Sequence, residues 1–189
     1  MNIFYLDNDP KVCAEMHCDK HVVKMIIEYA QLMSTAHRIL DGTSYYDLTA
    51  NGRRILRWRM DDLDVEQGLM KASHVNHPSN VWVRSSKQNY IWLNRMWNYL
   101  LQEYTHRYKK HHACEKYMPY LYLCPKNISD KGFTPPTPAM PDECKIAGDS
   151  LASYHKYYTD KKITFAKWTN RQIPIWFTNT VNNNANIRI

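Results

Sequence analysis

The chain has no run of apolar residues approaching the ~18 that would cross a bilayer, so no membrane segment is expected. Its start, MNIFYLDNDP, has no basic stretch leading into an apolar one, and no secretory signal is expected either. Paired Cys-x-x-Cys spacing is also missing. The cysteines, Cys13, Cys18, Cys114, Cys124 and Cys144, are five, an odd number, and without an export signal they read as free thiols of a reducing, cytoplasmic setting. His17 beside Cys18, and His111 and His112 beside Cys114, come nearest to a metal-ligand cluster, but neither group has the pairing of a structural zinc site. No metal and no other cofactor is expected. Internal repeats are absent, and no stretch alternates strongly between polar and apolar, which argues against solenoids and strand-rich folds.

What is present points to one mainly α domain. A length of 189 residues is near that of an ordinary domain, and 44% hydrophobic against 23% charged residues is a globular balance. Basic residues exceed acidic ones by seven, and six Trp, fourteen Tyr and four Phe supply many flat side chains. Cations attract phosphate and aromatic faces stack on bases, so the pairing suits a nucleic-acid partner, although basic proteins with aromatic cores are common without one.

Asp9-Pro10 predicts a helix over 10–17, with a capping carboxylate and a proline at the first position. A second helix is predicted from Asp19, over Lys20 to Leu40, stopped by Asp41-Gly42. Residues 43–76 read as irregular, with room for at most one short helix, and 77–86 as a turn and an extended piece. Ser85 or Ser86 then caps a long helix from Lys87 to His111, whose Tyr90, Leu93, Trp97, Leu100, Tyr104 and Tyr108 recur at helical spacing. The two long amphipathic helices are expected to share a core. Five prolines make 124–143 a loop, and helix resumes near Asp149 to Lys161. A single catalytic domain over 1–178 and a polar, frayed tail over 179–189 complete the expectation.

The first long helix carries an unusual stripe, CDKHVVKMIIEYAQ. At 100° per residue, Lys24, Glu28, Gln31 and Thr35 fall within about 80° of His21, and His21 and Glu28 lie about 10 Å apart along the axis. Val22, Val23, Ile26, Ile27, Ala30, Met33 and Leu40 form the expected core arc. His37 falls on that arc and reads as a hydrogen-bonded core histidine. From pattern alone the stripe reads first as a solvated face, where Lys24 and Glu28 make an i,i+4 pair worth about 0.3 kcal/mol, and second as the wall of an active site.

Asp19-x-His21 followed by Glu28, shortly after the apolar MNIFYL, resembles the phage-type pyrimidine-dimer DNA glycosylases, also called endonuclease V. Trp92-Leu93, Leu100-Leu101, Glu103 and Arg107 fall in step with that family's second long helix. MPDE near 140, followed by a helix and an aromatic-rich segment, is a further match.

The resemblance implies an enzyme acting on double-stranded DNA, in a host-cell cytoplasm if phage-encoded. Its nucleophile would be an N-terminal α-amine that attacks the sugar C1′ and forms an imine, assisted by a helix glutamate and followed by β-elimination. Met1, Glu28 and His21 are the implied catalytic residues. Asp19, Lys20, Lys24, Gln31, His77, Glu103, Arg107, Trp168, Arg171 and Trp176 are the candidates for holding substrate or DNA. Asn2 is too large for efficient removal of Met1, so the amine in question is that of Met1 itself. Arginines that the family places before and after its glutamate are here Ile27 and Gln31, which points to a changed substrate: another damaged or modified base, or an abasic site. Two other readings stay open: a transferase or hydrolase acting on a modified base through His21, Lys24 and Glu28, and a non-catalytic nucleic-acid-binding module.

Overall fold

A computed structural model describes the backbone of residues 1–186 and the side chains of residues 1–180. In chain order the elements are α1 (Pro10–Met16), α2 (Asp19–Asp41), β1 (Thr43–Leu48), β2 (Arg54–Arg59), α3 (Leu63–Gly68), α4 (Pro78–Ser85), α5 (Lys87–Tyr108), α6 (Met118–Leu121), α7 (Ser150–Lys161) and α8 (Ile175–Asn186). Short 3₁₀ turns cover Ala113–Tyr117 and Asp142–Cys144. Among the described residues the fold is mainly α, with one small two-stranded sheet.

The helix starts follow side-chain chemistry. Asp9 accepts from Lys11 N and Val12 N at 2.8 and 3.1 Å, Ser86 from Gln88 N at 3.2 Å and Asp149 from Ala152 N at 2.9 Å, each such cap being worth about 1 kcal/mol. α2 departs from this: its cap position is Cys18, with no side-chain bond, and the expected cap Asp19 lies inside the helix with its carboxylate turned to other elements. At the far end, Gly42 has an ordinary φ of −91°. A Cβ there would sit 2.5 Å from the Arg38 carbonyl and 2.9 Å from that of Arg59, so glycine lets the next strands close onto the end of α2. α5 ends at Tyr108, ahead of the expected His111, with Lys109 in the left-handed region at φ 56°.

Two stretches correct the sequence expectation. Residues 43–59 form an antiparallel hairpin, paired from Thr43↔Arg59 to Leu48↔Arg54. β1 is exposed along its whole length, so it lacks the polar/apolar alternation by which a half-buried strand is recognised. Residues 78–85 are helix rather than extended chain: His77 caps α4, its Nδ1 accepting from Ser79 N at 3.2 Å, and Pro78 occupies the first turn. α8 is helical as far as Asn186, across part of the segment expected to fray, and 187–189 lie outside the described residues.

The core sits where α2 crosses α5, with Ile26, Met33, Leu93, Met96, Trp97 and Leu100 fully buried. Trp97 Nε1 donates to the Ile26 carbonyl at 2.9 Å across this contact. The buried face of α2 is turned from the expected arc. Val23 and Ile27 are 42% and 46% exposed, whereas His21 and Thr35 are buried. The cause is the N-terminal segment, which runs buried through Ile3–Leu6 and covers the His21 side of the helix.

The later half of α2 is enclosed by the hairpin root and α3. Arg38, buried inside the fold, donates from all three guanidinium nitrogens to Glu66 and to the carbonyls of Trp58, Glu66, Leu69 and Met70. A charge so enclosed is stable only because every donor is satisfied. His37 takes the expected role of a core histidine, with Nε2 2.9 Å from the Tyr90 hydroxyl.

Candidate active site at the N-terminal amine

The first six residues form no regular strand, so side chains take their backbone bonds. Asn2 is buried. Its Oδ1 accepts from Ile3 N at 2.9 Å and from the Tyr154 hydroxyl at 2.6 Å, while its Nδ2 donates to the Ala139 carbonyl at 2.8 Å. Phe4 N donates to the Tyr29 hydroxyl at 3.1 Å, and that hydroxyl lies 2.9 Å from His17 Nε2. Cys13 Sγ bonds the Phe4 carbonyl at 3.2 Å, and His155 Nε2 the Leu6 carbonyl at 2.8 Å. The chain is thereby fixed on both sides of Phe4, and Met1 is held at the edge of the core.

There the Met1 amine lies 3.8 Å from Glu28 Oε2, with the Met1 and Glu28 side chains only 7% and 17% exposed. Lys24, largely in solvent, reaches Glu28 Oε1 at 3.2 Å. Asn80 Nδ2 lies 3.9 Å from Met1 Sδ and donates to the carbonyls of Ser73 and His74 at 2.8 and 3.0 Å. His77 lies close enough to feel the amine's charge: burial first, then that charge and His74, hold its pKa below the ordinary histidine value. Its Nδ1 is occupied by Ser79 N–H, so the neutral ring carries its proton on Nε2. Gln31, three residues beyond Glu28, is tied by Nε2 to the Lys71 carbonyl at 2.6 Å. An amine beside a carboxylate in a half-open, partly desolvated setting has a nucleophile and a proton acceptor within one step of each other.

His21, expected as a catalytic partner of Glu28, is placed elsewhere. It is buried and stacks on Phe4 at 4.0 Å, with Nδ1 bonded to the Tyr158 hydroxyl. Burial, then the neighbouring charges of His17, Lys162 and Lys24, push its pKa down to about 2. It is a neutral prop beneath the N-terminal segment.

Asp19, Glu103, Arg107 and Arg171, expected at the DNA, are drawn together in an ionic staple in which Glu103 and Arg107 are buried and Asp19 and Arg171 partly exposed. The Arg107 guanidinium is fully enclosed, donating to Asp19 Oδ1 at 2.9 Å, Glu103 Oε2 at 3.1 Å and the carbonyls of His17 and Glu15 at 2.9 Å each. Arg171 joins Glu103 from the C-terminal segment, and Asp19 also accepts from Thr169. Burial pushes the Glu103 carboxyl up, but hydrogen bonds from Arg171 and the charge of Arg107 outweigh it and hold it below the usual carboxylate range. A charge spent in this way is not offered to phosphate. Trp168 is buried and donates to the Met16 carbonyl at 2.8 Å, and Trp176 stacks on His155 at 4.0 Å, so both anchor the C-terminal segment. Lys20 lies over the Phe165 ring at 4.7 Å.

Of the expected residues, then, Met1, Lys24, Glu28, Gln31 and His77 are brought to one place. Asn2, Asn80, Tyr29 and His17 were not foreseen. Only an asparagine at the second position of an apolar start could have marked the first of these.

In this small, mainly α protein the N-terminal amine lies beside a helix carboxylate. Residues 1–116, more than half of the chain, match the family model for pyrimidine dimer DNA glycosylases, and the chain belongs to that family. It is an enzyme of the DNA glycosylase type, with DNA as its substrate. Comparison with the curated proteins and with the solved structures returns no match. Among the described residues, no helix is long and apolar enough to cross a membrane.

Proposed function

We propose that the protein excises a damaged or modified base from duplex DNA, or processes an abasic site, through an imine formed by the Met1 α-amine. The single observation that carries this reading is the 3.8 Å approach of that amine to Glu28 Oε2 at the edge of the core. An α-amine is an imine-forming nucleophile, and here a carboxylate stands beside it to take its proton.

The amine lone pair attacks C1′, the bond from C1′ to the base breaks, and the base leaves with the bonding pair and takes up a proton. Glu28 stabilises positive charge developing on the sugar and accepts the proton that the amine loses. Opening of the sugar ring gives the imine. Loss of a C2′ proton then expels the 3′ phosphate, and water releases the amine. The reading that dispenses with the amine relied on His21 beside Lys24 and Glu28, and a His21 buried on Phe4 is not available to it. A purely binding module leaves unexplained why five residues, Asn2 to Leu6, are buried to hold an amine beside a carboxylate.

The test is borohydride trapping on an abasic or lesion-containing duplex. A covalent adduct is expected, lost when the N-terminus is acetylated or extended, and reduced ~10²-fold or more in Glu28→Gln. No adduct, or one indifferent to blocking the amine, removes the imine mechanism.

A further inference from the structure

The hairpin Thr43–Arg59 has a surface that the core does not account for. It carries Arg53, Arg54, Arg57 and Arg59 against the single acid Asp47. Paired residues share a face of the sheet, and Tyr46↔Leu56 and Leu48↔Arg54 put two exposed apolar residues, an aromatic and a cation on one side. Tyr46, Leu48 and Leu56 are 62%, 65% and 40% exposed. Arg54 lies over the Tyr46 ring at 3.5 Å, and Arg59 over Tyr45 at 5.8 Å. Two-stranded ribbons are marginal alone in water, and this one is instead pegged at its root by Arg38, which holds the Trp58 carbonyl at 3.0 Å.

Between β2 and residues 71–76 lies a groove of about 780 Å³, lined by Gln31, Arg57, Trp58, Lys71 and His74 among others. It leads toward the amine. Gln31 stands about one turn along α2 from Glu28, and the Ser73 and His74 carbonyls are held by the Asn80 nitrogen that touches Met1 Sδ.

We infer that the hairpin is a clasp for duplex DNA beside the reacting nucleotide, with its arginines on phosphates and the Tyr46 face against sugars and bases. The inference rests on the proposed action on DNA and adds the element that grips it. Charge decides the occupant: an acidic protein would satisfy the arginines, but aromatic faces overlaid by guanidinium, bordering a groove that leads to a reactive amine, fit a strand that alternates phosphate with flat bases.

The experiment measures binding to a duplex carrying a non-cleavable abasic analogue, by fluorescence anisotropy across a salt series. In the triple variant Tyr46→Ala, Arg53→Ala, Arg54→Ala the log–log salt slope should fall by about 2, the share of two phosphate contacts. The double variant Arg53→Lys, Arg54→Lys, which keeps the charge without the planar fork, should retain the slope. A triple variant with native circular dichroism, wild-type affinity and wild-type slope overturns the clasp. Because binding needs no chemistry, failures separate: trapping lost in wild type with the slope effect intact removes the amine reading, and trapping intact with the slope unmoved removes the clasp.

Discussion

Asn2→Leu offers a sharp test of how the N-terminus is held. Leucine has nearly the shape of asparagine and, being large, leaves Met1 in place, so the change removes polar contacts without shortening the chain. Three bonds go: those to Ile3 N, the Tyr154 hydroxyl and the Ala139 carbonyl. Tyr154 still reaches the Thr137 carbonyl at 3.2 Å, and Ala139 lies in a loop nearer solvent. The Ile3 N–H, in a fully buried residue, is the group stranded outright. One stranded buried donor costs about 1–3 kcal/mol, and the two lesser losses bring the total to about 3 kcal/mol. For a chain of this size, that lowers Tm by about 6–12 °C.

The functional effect should exceed the loss of folded protein. A misplacement of about 1 Å at a reacting group can cost 10²-fold, and Asn2 is the residue peptide-bonded to the one bearing the amine. The assay is borohydride trapping below Tm, paired with calorimetry and DNA binding on the same preparation. Trapping should fall about 100-fold with binding unchanged. A folded Asn2→Leu protein that traps at the wild-type rate would refute the idea that Asn2 positions the amine.

Two further outcomes are expected. Arg107→Met should destabilise by about 3–5 kcal/mol in chemical denaturation, because it leaves the Asp19 and Glu103 carboxylates facing an enclosed apolar side chain, with Arg171 compensating only Glu103; a loss under about 1 kcal/mol would refute the staple. Burial first, joined by the Arg107 charge and only partly opposed by the backbone bond to Cys13 and the Glu103 charge, leaves His17 with its pKa down to about 4, and His21 lies at about 2, both below an unfolded value of 6.5. Their stabilisation is therefore complete above about pH 6.5 and is lost as pH falls, at about 1.4 kcal/mol per pH unit for each; a Tm flat between pH 7 and 4.5 would contradict this, and His17→Gln should flatten the profile.

Local chemistry made much of the fold legible. The caps Asp9, Ser86 and Asp149 and the spacing of Tyr90, Leu93, Trp97 and Leu100 act within one turn of helix, and the helices they predict are present. What could not be read depends on partners far along the chain. Val23 and Ile27 look like core by period, yet Phe4 takes the His21 side of α2 and rotates the buried face away from them. Glu103 and Arg107 look like surface charge on a long helix, until the turn between α1 and α2 and the segment around Arg171 close over them. The hairpin escaped because a strand solvated on both faces has no alternation to detect. The meeting of Met1 with Glu28 was legible only through family resemblance, since nothing in the spacing of twenty-seven residues brings an amine to a carboxylate.

The arginine-free face of α2 and the arginine-rich hairpin meet across one groove. The resemblance implies arginines on both sides of the helix glutamate, whereas α2 carries Lys24 there, with an exposed Ile27 and a Gln31 tied to Lys71. The clasp puts cations on the other wall: Arg57 and Lys71 line the groove that contains Gln31, and Arg53 and Arg54 extend from it. Charge carried on a ribbon pegged at its root, rather than on a rigid helix, can follow strands of differing shape. Arg38 is the link between the two walls. It rises from the same helix as Glu28 and holds the hairpin root by Trp58 and α3 by Glu66, so the distance from clasp to carboxylate is set by a buried, fully bonded side chain rather than by a loop.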